Sequence, residues 1–439
     1  MTPRWTRRTL CALAAAVTFG TIAGGIPPAA AVPPPAAPPP PAVTTPVTDH
    51  CPHKISTPPA VDESEVVAPG STTPTPLPVP TPAVGGEDLA YCGVVADPAA
   101  GPVPPGLTSA GWLIADLGSG QIIAAKDPHG RYRPASTIKV LLALVVLDEL
   151  DLAASVVPTP DDWGAEGDSC GMGPGGNYTV RDLLTGLLLV SGNDCANALA
   201  RELGGVDATL TKMNARAVAL GAADTRAASP SGLDAAGMSS SPYDLALVFR
   251  AAMAEPVFRE LIATPTFRFP GYPRRPDVPG DKDHPAYDMY TSNRLLLDGY
   301  PGALGGKTGY TDDARKTFVG AVERNGRSLV IVQMFGLSVD GDLYWDQAKA
   351  LFDYGFRADP AISVGRLVDS GPGSAESRSS GSRSSGSSAV RPPASTGPQR
   401  AAPHSDTASP ASVRVLIGLV AALLVVALLL LGLRFSRRR

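Results

Sequence analysis

The chain has 439 residues with 37 basic and 41 acidic side chains, which gives a formal net charge of −4. This balance excludes a strongly basic protein, and no basic stripe with interleaved aromatic residues indicates nucleic-acid binding. The 46 prolines and 46 glycines are spread unevenly, so the whole chain cannot belong to one folded core.

The first 31 residues have the layout of a cleaved secretory signal. An arginine-containing start precedes an alanine-rich apolar run, and an Ala29-x-Ala31 site follows. The Arg7-Arg8 pair leaves twin-arginine export open beside the general secretory route. We therefore expect residues 1–31 to be removed and the next part of the chain to be exported.

Two low-complexity stretches enclose the part of the chain that can fold. Residues 32–106 are proline-rich, as in "PPPAAPPPPAVTTPVT", and predict an extended, partly polyproline spacer without its own packed core. Residues 369–412 are rich in serine, glycine and proline and predict a flexible linker. The folded domain is therefore expected at residues 107–368.

An uncharged apolar run follows the linker. It covers the 19 residues 415–433, which is long enough to cross a hydrocarbon core of about 30 Å as a helix. Four arginines follow it, and basic flanks stay in the cytoplasm. We predict a transmembrane helix at 413–434, a cytoplasmic tail at 435–439, and a single-pass protein of the cell membrane with an extracytoplasmic domain. A buried core helix is the alternative.

Removal of the signal leaves an even number of cysteines, which suits an oxidising compartment. They are Cys51, Cys92, Cys170 and Cys195. Four cysteines allow three pairings, of which we favour Cys51–Cys92 and Cys170–Cys195. Two histidines close to Cys51 raise a metal site as an alternative, but their spacing matches no zinc pattern.

Within the domain, the hydrophobic pattern predicts strands at both ends and helices between them. Hairpins are predicted for "GWLIADLGSGQIIAAKD" and for "KTFVGAVERNGRSLVIVQMFG", which turns at Asn325-Gly326. Helices are predicted for the stretches "STIKVLLALVVLDEL", "TVRDLLTGLLLV", "DCANALARELGG", "DATLTKMNARAVALGA", "SPYDLALVFRAAMAE" and "DLYWDQAKALFDYGF". Ser241 would cap the fifth of these, with Pro242 in its first turn. This order indicates an α+β fold in which helices cover one antiparallel sheet.

Ser136 and Lys139 begin the first predicted helix, in "RPASTIKVLLALVVLDEL". Their spacing places both side chains on one face of the first turn. The domain has only two histidines, His129 and His284, and neither lies in the sequence context of a serine hydrolase that uses a histidine base. Lys139 is therefore the candidate base for a nucleophilic Ser136. That role needs a lowered pKa, which burial and a second nearby cation would both supply.

Lys307, in "LGGKTGYT", is the candidate second cation. On an edge strand, Lys307 and Gly309 would point one way and Thr308 the other. Because Gly309 has no side chain, a ligand can lie close to the backbone there.

Ser191 and Asn193, in "LLLVSGNDCANAL", lie in a predicted turn between two helices, where they could relay protons and hold a substrate amide. Each motif also has a purely structural interpretation. Ser136 and Ser191 could be helix caps, and Lys139 could be a surface charge. The occurrence of all three motifs in this order, at element boundaries of an exported domain, favours the catalytic interpretation.

The order S-x-x-K, S-x-N, K-T-G resembles the penicillin-recognising serine enzymes. The stretches "PASTIKV", "SGND" and "GGKTGYTDDA" are most similar to the low-molecular-mass D-alanyl-D-alanine carboxypeptidases of peptidase family S11. The resemblance covers residues 107–368. It implies the transpeptidase fold of penicillin-binding proteins and β-lactamases, an antiparallel sheet flanked by helices with a helical subdomain.

The resemblance also implies roles for individual residues. Ser136 would be the acylated nucleophile and Lys139 its proton acceptor, while Ser191 and Asn193 would relay protons and position the substrate. The implied substrate-binding residues are Lys307, Thr308, Gly309 and Tyr310. The backbone N–H groups of Ser136 and Tyr310 would form an oxyanion hole.

The implied substrate is the D-Ala-D-Ala end of a peptidoglycan stem peptide, and β-lactams would acylate the same serine. No metal, organic cofactor or nucleic-acid partner is implied. Charged Arg315 and Lys316 depart from the smaller or apolar residues expected after K-T-G and leave the substrate preference open.

Three rival functions remain. An endopeptidase or transpeptidase acting on peptidoglycan cross-links would use the same acylation step. A β-lactamase would need a deacylating glutamate after the second motif, where Glu202 lies in an ordinary predicted helix. A catalytically silent, wall-anchored spacer protein would not need the intact lysines and serines.

Overall fold

A central antiparallel sheet organises the computed structural model, which describes residues 45–337 and 341–369. The strands of this sheet and of two small sheets are, in chain order, β1 (Val94–Ala96), β2 (Ser109–Asp116), β3 (Gln121–Lys126), β4 (Ser155–Val156), β5 (Tyr178–Thr179), β6 (Thr266–Phe269), β7 (Tyr287–Tyr290), β8 (Ala303–Thr311), β9 (Arg315–Arg324), β10 (Arg327–Gly336) and β11 (Gly365–Arg366). The central sheet has the order β1-β3-β2-β10-β9-β8, and β11 also pairs with β3. Strand β8 therefore lies at an edge of the sheet.

Most of the helices lie between β3 and β8 in the chain. In chain order they are α1 (Lys139–Glu149), α2 (Pro160–Trp163), α3 (Val180–Leu189), α4 (Asn193–Glu202), α5 (Val206–Leu220), α6 (Pro242–Ala254), α7 (Pro256–Ile262), α8 (Arg294–Leu297) and α9 (Gly341–Arg357). A short 3₁₀ helix, Ala135–Ile138, leads directly into α1. This mixture of helices and antiparallel strands confirms the predicted α+β fold.

The central sheet is buried on both faces. Side chains alternate across β2, so that Leu113 belongs to a core with α1, α3 and α6, whereas Trp112 and Ile114 belong to a second core with α9. Helix α1 is buried from Lys139 through Val146, which explains its almost uninterrupted apolar sequence. Each fully buried leucine or valine of this helix stabilises the fold by about 1.5–3 kcal/mol.

The predicted local signals are confirmed. Ser241 is the N-cap of α6, its side chain accepts a hydrogen bond from the backbone of Asp244, and Pro242 is the first helical residue. Asn325 and Gly326 both have positive φ, 53° and 76°, as a two-residue hairpin turn of the favoured twist requires.

Residues 45–106 differ from the predicted spacer. They pack on the domain, where β1 extends the central sheet and Leu89 is buried in its core. Cys51 and Cys92 form the favoured disulfide. A proline-rich segment cannot form its own core, but it can still be ordered by a domain surface that satisfies its backbone carbonyl groups.

Several predicted segments lie outside the described residues. They are the signal at 1–31, the start of the spacer at 32–44, most of the linker at 370–412, the membrane helix at 413–434 and the tail at 435–439. Within the ranges that the structure describes, no helix combines the length and the apolar character needed to cross a membrane.

Candidate active site

Ser136 and Lys139 meet where the 3₁₀ helix runs into α1. The Lys139 Nζ atom donates a hydrogen bond of 2.8 Å to Ser136 Oγ. Ser136 lines an open cleft of about 370 Å³, whereas Lys139 is fully buried below it. Ala135, just before the serine, has a φ of 47°, a strained value for a residue with a side chain. The predicted pairing of hydroxyl and amine on one helical turn is therefore present.

Ser191 and Asn193 approach the same amine from the turn between α3 and α4. Lys139 Nζ lies 2.6 Å from Asn193 Oδ1 and 3.3 Å from Ser191 Oγ. Ser191 has a φ of 65°, which directs the chain sharply between the two helices. The Asn193 amide is held by the Glu166 carbonyl, to which its Nδ2 donates at 2.6 Å. The amine of Lys139 thus contacts all three other candidate catalytic side chains.

The turn that contains Ser191 is held in place by a disulfide and by hydrogen bonds to a neighbouring loop. Cys170 and Cys195 form the second favoured disulfide. The carboxylate of Asp194 accepts hydrogen bonds from the backbone N–H groups of Cys170 and Cys195 at 2.7 and 2.8 Å. A Cβ atom on Gly192 would lie 2.1 Å from Cys170 Sγ, so the glycine permits this close packing. Covalent and hydrogen-bonded links therefore hold the turn against the loop that contains Cys170.

Lys307 is fully buried on edge strand β8, and its Nζ atom donates to the Thr308 carbonyl at 2.7 Å. Burial lowers the pKa of Lys307 to about 7, while the carboxylate of Asp168 acts in the opposite direction. Burial is also the main cause that lowers the pKa of Lys139 well below its usual value, and the charge of Lys307 lowers it further. The second cation predicted for Lys139 is thus supplied by Lys307.

Strand β8 comes close to Ser136 at Gly309. A Cβ atom on Gly309 would lie 2.8 Å from the backbone nitrogen of Ser136. On neighbouring β9, Thr317 Oγ1 donates to the Pro134 carbonyl at 2.8 Å. Both contacts hold the β8–β9 hairpin against the turn that contains Ser136, so the two backbones lie side by side there.

The remaining predicted binding residues line the cleft. Thr308 pairs its hydroxyl with that of Ser292 at 2.7 Å. The side chain of Tyr310 is largely exposed and donates its hydroxyl hydrogen to Asp312 at 2.9 Å. Lys316, one of the departures from the expected pattern, also lines the cleft, and its ammonium lies 5.6 Å from the centre of the Tyr344 ring.

Sequence reasoning missed one wall of the cleft. The loop that contains Gly232 and Leu233 faces Ser136, whose hydroxyl donates a long 3.4 Å hydrogen bond to the Ser231 carbonyl. A Cβ atom on Gly232 would lie 2.1 Å from the Ala135 carbonyl oxygen, and its φ of 87° suits glycine. Ser-Gly is an ordinary turn sequence, so no pattern distinguished this loop from others.

Two clusters of potential metal ligands occur among the described residues, and both are occupied by other interactions. Cys170 and Cys195 share a disulfide, and Asp194 beside them accepts backbone hydrogen bonds. In the other cluster, His129 is bonded to Asp224, which also pairs with Arg131, and Asp244 completes the group. Neither cluster lines the cleft.

The comparison with known proteins agrees with this geometry. The family profile described as D-alanyl-D-alanine carboxypeptidase matches residues 99–336. DacB2, a D-alanyl-D-alanine carboxypeptidase of Mycobacterium tuberculosis, is 52% identical over 269 residues, which cover 61% of this chain and 88% of the relative. The chain belongs to the D-alanyl-D-alanine carboxypeptidase family.

Other members of the family are more distant. DacD of Escherichia coli is 31% identical over 270 residues, which cover 58% of this chain and 64% of DacD. A crystal structure of a D-alanyl-D-alanine carboxypeptidase from M. tuberculosis matches with a TM-score of 0.57 and 51% identity, and covers 62% of this chain and 99% of its own. As a member of peptidase family S11, the chain is a serine-type carboxypeptidase.

The fold is also that of a DD-transpeptidase. The crystal structure of the Streptomyces K15 DD-transpeptidase matches with a TM-score of 0.53 and 27% identity, and covers 58% of this chain and 99% of the Streptomyces chain. The predicted penicillin-binding protein fold is therefore confirmed.

Proposed function

We propose that the enzyme removes the terminal D-Ala from peptidoglycan stem peptides through an acyl-enzyme on Ser136. The observation that carries this proposal is the 2.8 Å contact between Lys139 Nζ and Ser136 Oγ, with the lysine fully buried. Burial favours the neutral amine, whose lone pair can accept the serine proton. The oxygen of Ser136 then attacks the carbonyl carbon of the penultimate D-Ala.

The negative charge that develops on the carbonyl oxygen is met by backbone N–H groups. We assign this role to Ser136 and Tyr310, because β8 lies against the serine backbone at Gly309. The leaving D-Ala amine takes a proton that passes from Lys139 through the hydroxyl of Ser191, 3.3 Å away. The C–N bond breaks, D-Ala departs, and water hydrolyses the ester to regenerate Ser136.

The free carboxylate of the substrate is assigned to the β8 side of the cleft. Thr308 presents its hydroxyl there, and buried Lys307 lies beside it in the strand. A carboxylate bound at this position would stabilise the protonated form of Lys307. We assign Asn193, whose amide is held in place, to the substrate amide.

Release of D-Ala from a peptide ending in D-Ala-D-Ala tests this function. Wild type and Ser328→Ala, which removes a side-chain hydrogen bond to surface Glu323, are expected to release D-Ala and to be labelled covalently by penicillin. Ser136→Ala is expected to do neither. Labelling that persists in Ser136→Ala would show that another residue is the nucleophile.

A second candidate function is transfer or hydrolysis at peptidoglycan cross-links. The likeness to the Streptomyces DD-transpeptidase supports it, because acylation is the same step in both reactions. Incubation with a cross-linked muropeptide dimer and with an added amine acceptor distinguishes the two functions. Monomers or a new amide product, formed faster than D-Ala is released from an uncross-linked peptide, would favour this second function.

A β-lactamase is not favoured. Glu202, the glutamate that could serve deacylation, is at the end of α4 and pairs with Arg201. We therefore expect the penicilloyl enzyme to turn over slowly, which mass spectrometry of the adduct over time would measure.

We further propose that the domain is extracytoplasmic and anchored by residues 413–434. The apolar sequence of this segment supports the anchor, and the two disulfides support export to an oxidising compartment. The full chain should fractionate with membranes, and a chain ending at residue 412 should be released. If the full chain is also released from the membrane fraction, residues 413–434 are not a membrane anchor.

A further inference from the structure

The segment 45–92, which we call the strap, is bound by a row of hydrogen-bond donors from the domain. His129, Arg131 and Arg133 occupy alternate positions just before the nucleophile. His129 Nε2 donates to the Val84 carbonyl at 2.9 Å, and Arg131 donates to the Leu77 carbonyl at 2.6 Å. Polyproline-like segments have carbonyl groups without internal partners, which these donors satisfy.

Arg133 connects the strap to the active site. Its guanidinium group is buried, and both of its terminal nitrogens donate to the strap, at 2.8 Å to the Pro58 carbonyl and at 2.6 Å to Glu65 Oε1. Arg133 is three residues before Ser136 in the chain. The strap therefore supplies the hydrogen-bond acceptors for a buried charge at the base of the nucleophile turn.

The strap also holds the other side of the cleft. Asp313 follows β8 in the turn toward β9 and is buried, 3.8 Å from Arg133 Nε. Its two carboxylate oxygens accept hydrogen bonds from Val61 N at 2.6 Å and from Ser64 Oγ at 2.5 Å. The strand that contains Lys307 and Gly309 is thus tied through Asp313 to the same strap.

Glu65 reaches the third wall of the cleft. Its second oxygen, Oε2, accepts a hydrogen bond of 3.1 Å from the backbone of Gly237, which follows the loop of Gly232 and Leu233. One strap carboxylate therefore joins the nucleophile turn to that loop. The family profile begins at residue 99, so these contacts come from outside the matched region.

We propose that the strap is a positioning element of the active site and that Glu65, Ser64 and Arg133 are positioning residues for acylation. They set the distance between the Ser136 turn, the β8–β9 turn and the Gly232 loop without touching the substrate. The inference rests on the proposed acylation of Ser136. A shift of about 1 Å in such a framework can reduce a rate about 100-fold.

Strap-side substitutions test this role, because loss of buried Arg133 itself could unfold the protein. Glu65→Gln and Ser64→Ala should each reduce the second-order rate constant of penicillin acylation and kcat for D-Ala release by about tenfold or more, with a smaller change in KM. Their melting temperatures should fall by no more than about 4 °C. Glu65→Asp, which keeps the charge, should recover part of the rate.

Two variants serve as controls. Glu63→Gln makes the same charge change two residues away, at an exposed strap position. Arg226→Ala removes an exposed contact between the domain and the strap, 2.8 Å from the Thr75 carbonyl. Both should acylate at the wild-type rate.

The outcomes separate the two proposals. Wild-type enzyme that is not acylated would overturn the proposed function. Wild-type enzyme that is acylated, together with Glu65→Gln and Ser64→Ala variants that acylate at the same rate, would overturn the positioning role. The positioning role would also be overturned if Glu63→Gln lost as much acylation rate as Glu65→Gln and Ser64→Ala. The effect would then not depend on the contacts to Arg133 and Asp313.

Discussion

Lys139 and Lys307 are two fully buried lysines, and the positive charge of Lys307 lowers the pKa of Lys139. Burial is the larger cause, and the carboxylates of Asp168 and Asp194 act in the opposite direction. Two buried amines that repel each other cannot both carry a charge without a large cost. In the proposed mechanism this relationship favours the neutral form of Lys139 that acylation needs, and it can be tested by removing one of the charges.

In Lys307→Gln, the acidic limb of the profile of acylation rate against pH should move to higher pH. Lys139 accepts a proton only when it is neutral, and loss of the neighbouring charge raises its pKa, so a higher pH is needed for the same neutral fraction. Penicillin acylation rates measured from about pH 4 to 9 would show the shift. Lys316→Gln removes a cleft-lining cation that is not among the causes of the Lys139 shift and is the control. If the acidic limb of the profile does not move in Lys307→Gln, the charge of Lys307 does not lower the pKa of Lys139.

KM for a D-Ala-D-Ala peptide should rise as the pH increases above about 7. Burial lowers the pKa of Lys307 to about 7, so its ammonium form, which attracts the substrate carboxylate, is progressively lost above that value. A peptide with a C-terminal amide instead of the carboxylate should not show this rise. Steady-state kinetics on both peptides measure the difference. If KM rises with pH equally for the two peptides, Lys307 does not bind the carboxylate through its charge.

The sequence was sufficient to predict the local half of the site. Three-residue spacing brings Ser136 and Lys139 together within one turn, which depends only on helix geometry. The approach of Lys307 depends instead on the pairing of β8 with β9 and on its place at the sheet edge. The sequence offered Lys307 on an edge strand as the candidate second cation, but no spacing rule shows that this strand folds back to Ser136. The wall at Gly232 had no sequence signal at all.

The strap was missed for a different physical reason. Composition shows correctly that residues 45–92 cannot form a core alone, but it does not show what their free carbonyl groups can accept. The donors are in the domain, where His129, Arg131 and Arg133 occupy alternate positions in the sequence. Donors that are removed from water need acceptors, and here the proline-rich segment supplies many of them.

Gly309→Ala should reduce the acylation rate by about 100-fold or more, as loss of an oxyanion-hole donor does. The added Cβ would lie 2.8 Å from the Ser136 backbone nitrogen and 2.4 Å from Thr317 Oγ1, so the strand or the serine turn must move. Gly118→Ala is the control, because its Cβ would meet its nearest neighbour at 3.4 Å. Penicillin labelling over time measures both. A Gly309→Ala variant with the wild-type rate would show that the close approach is not needed.

Removal of the Cys170–Cys195 disulfide should affect stability more than catalysis. The bond closes a loop with a sequence separation of 25, and the chain-entropy estimate for such a loop is about 3.5 kcal/mol of unfolding free energy. Asp194 would still hold the backbone N–H groups of both positions, so the Ser191 turn should persist in a Cys170→Ala, Cys195→Ala variant. Denaturant unfolding should therefore show the lost stability, while the acylation rate falls less than about tenfold. A large loss of rate without lost stability would mean that the disulfide itself positions Ser191.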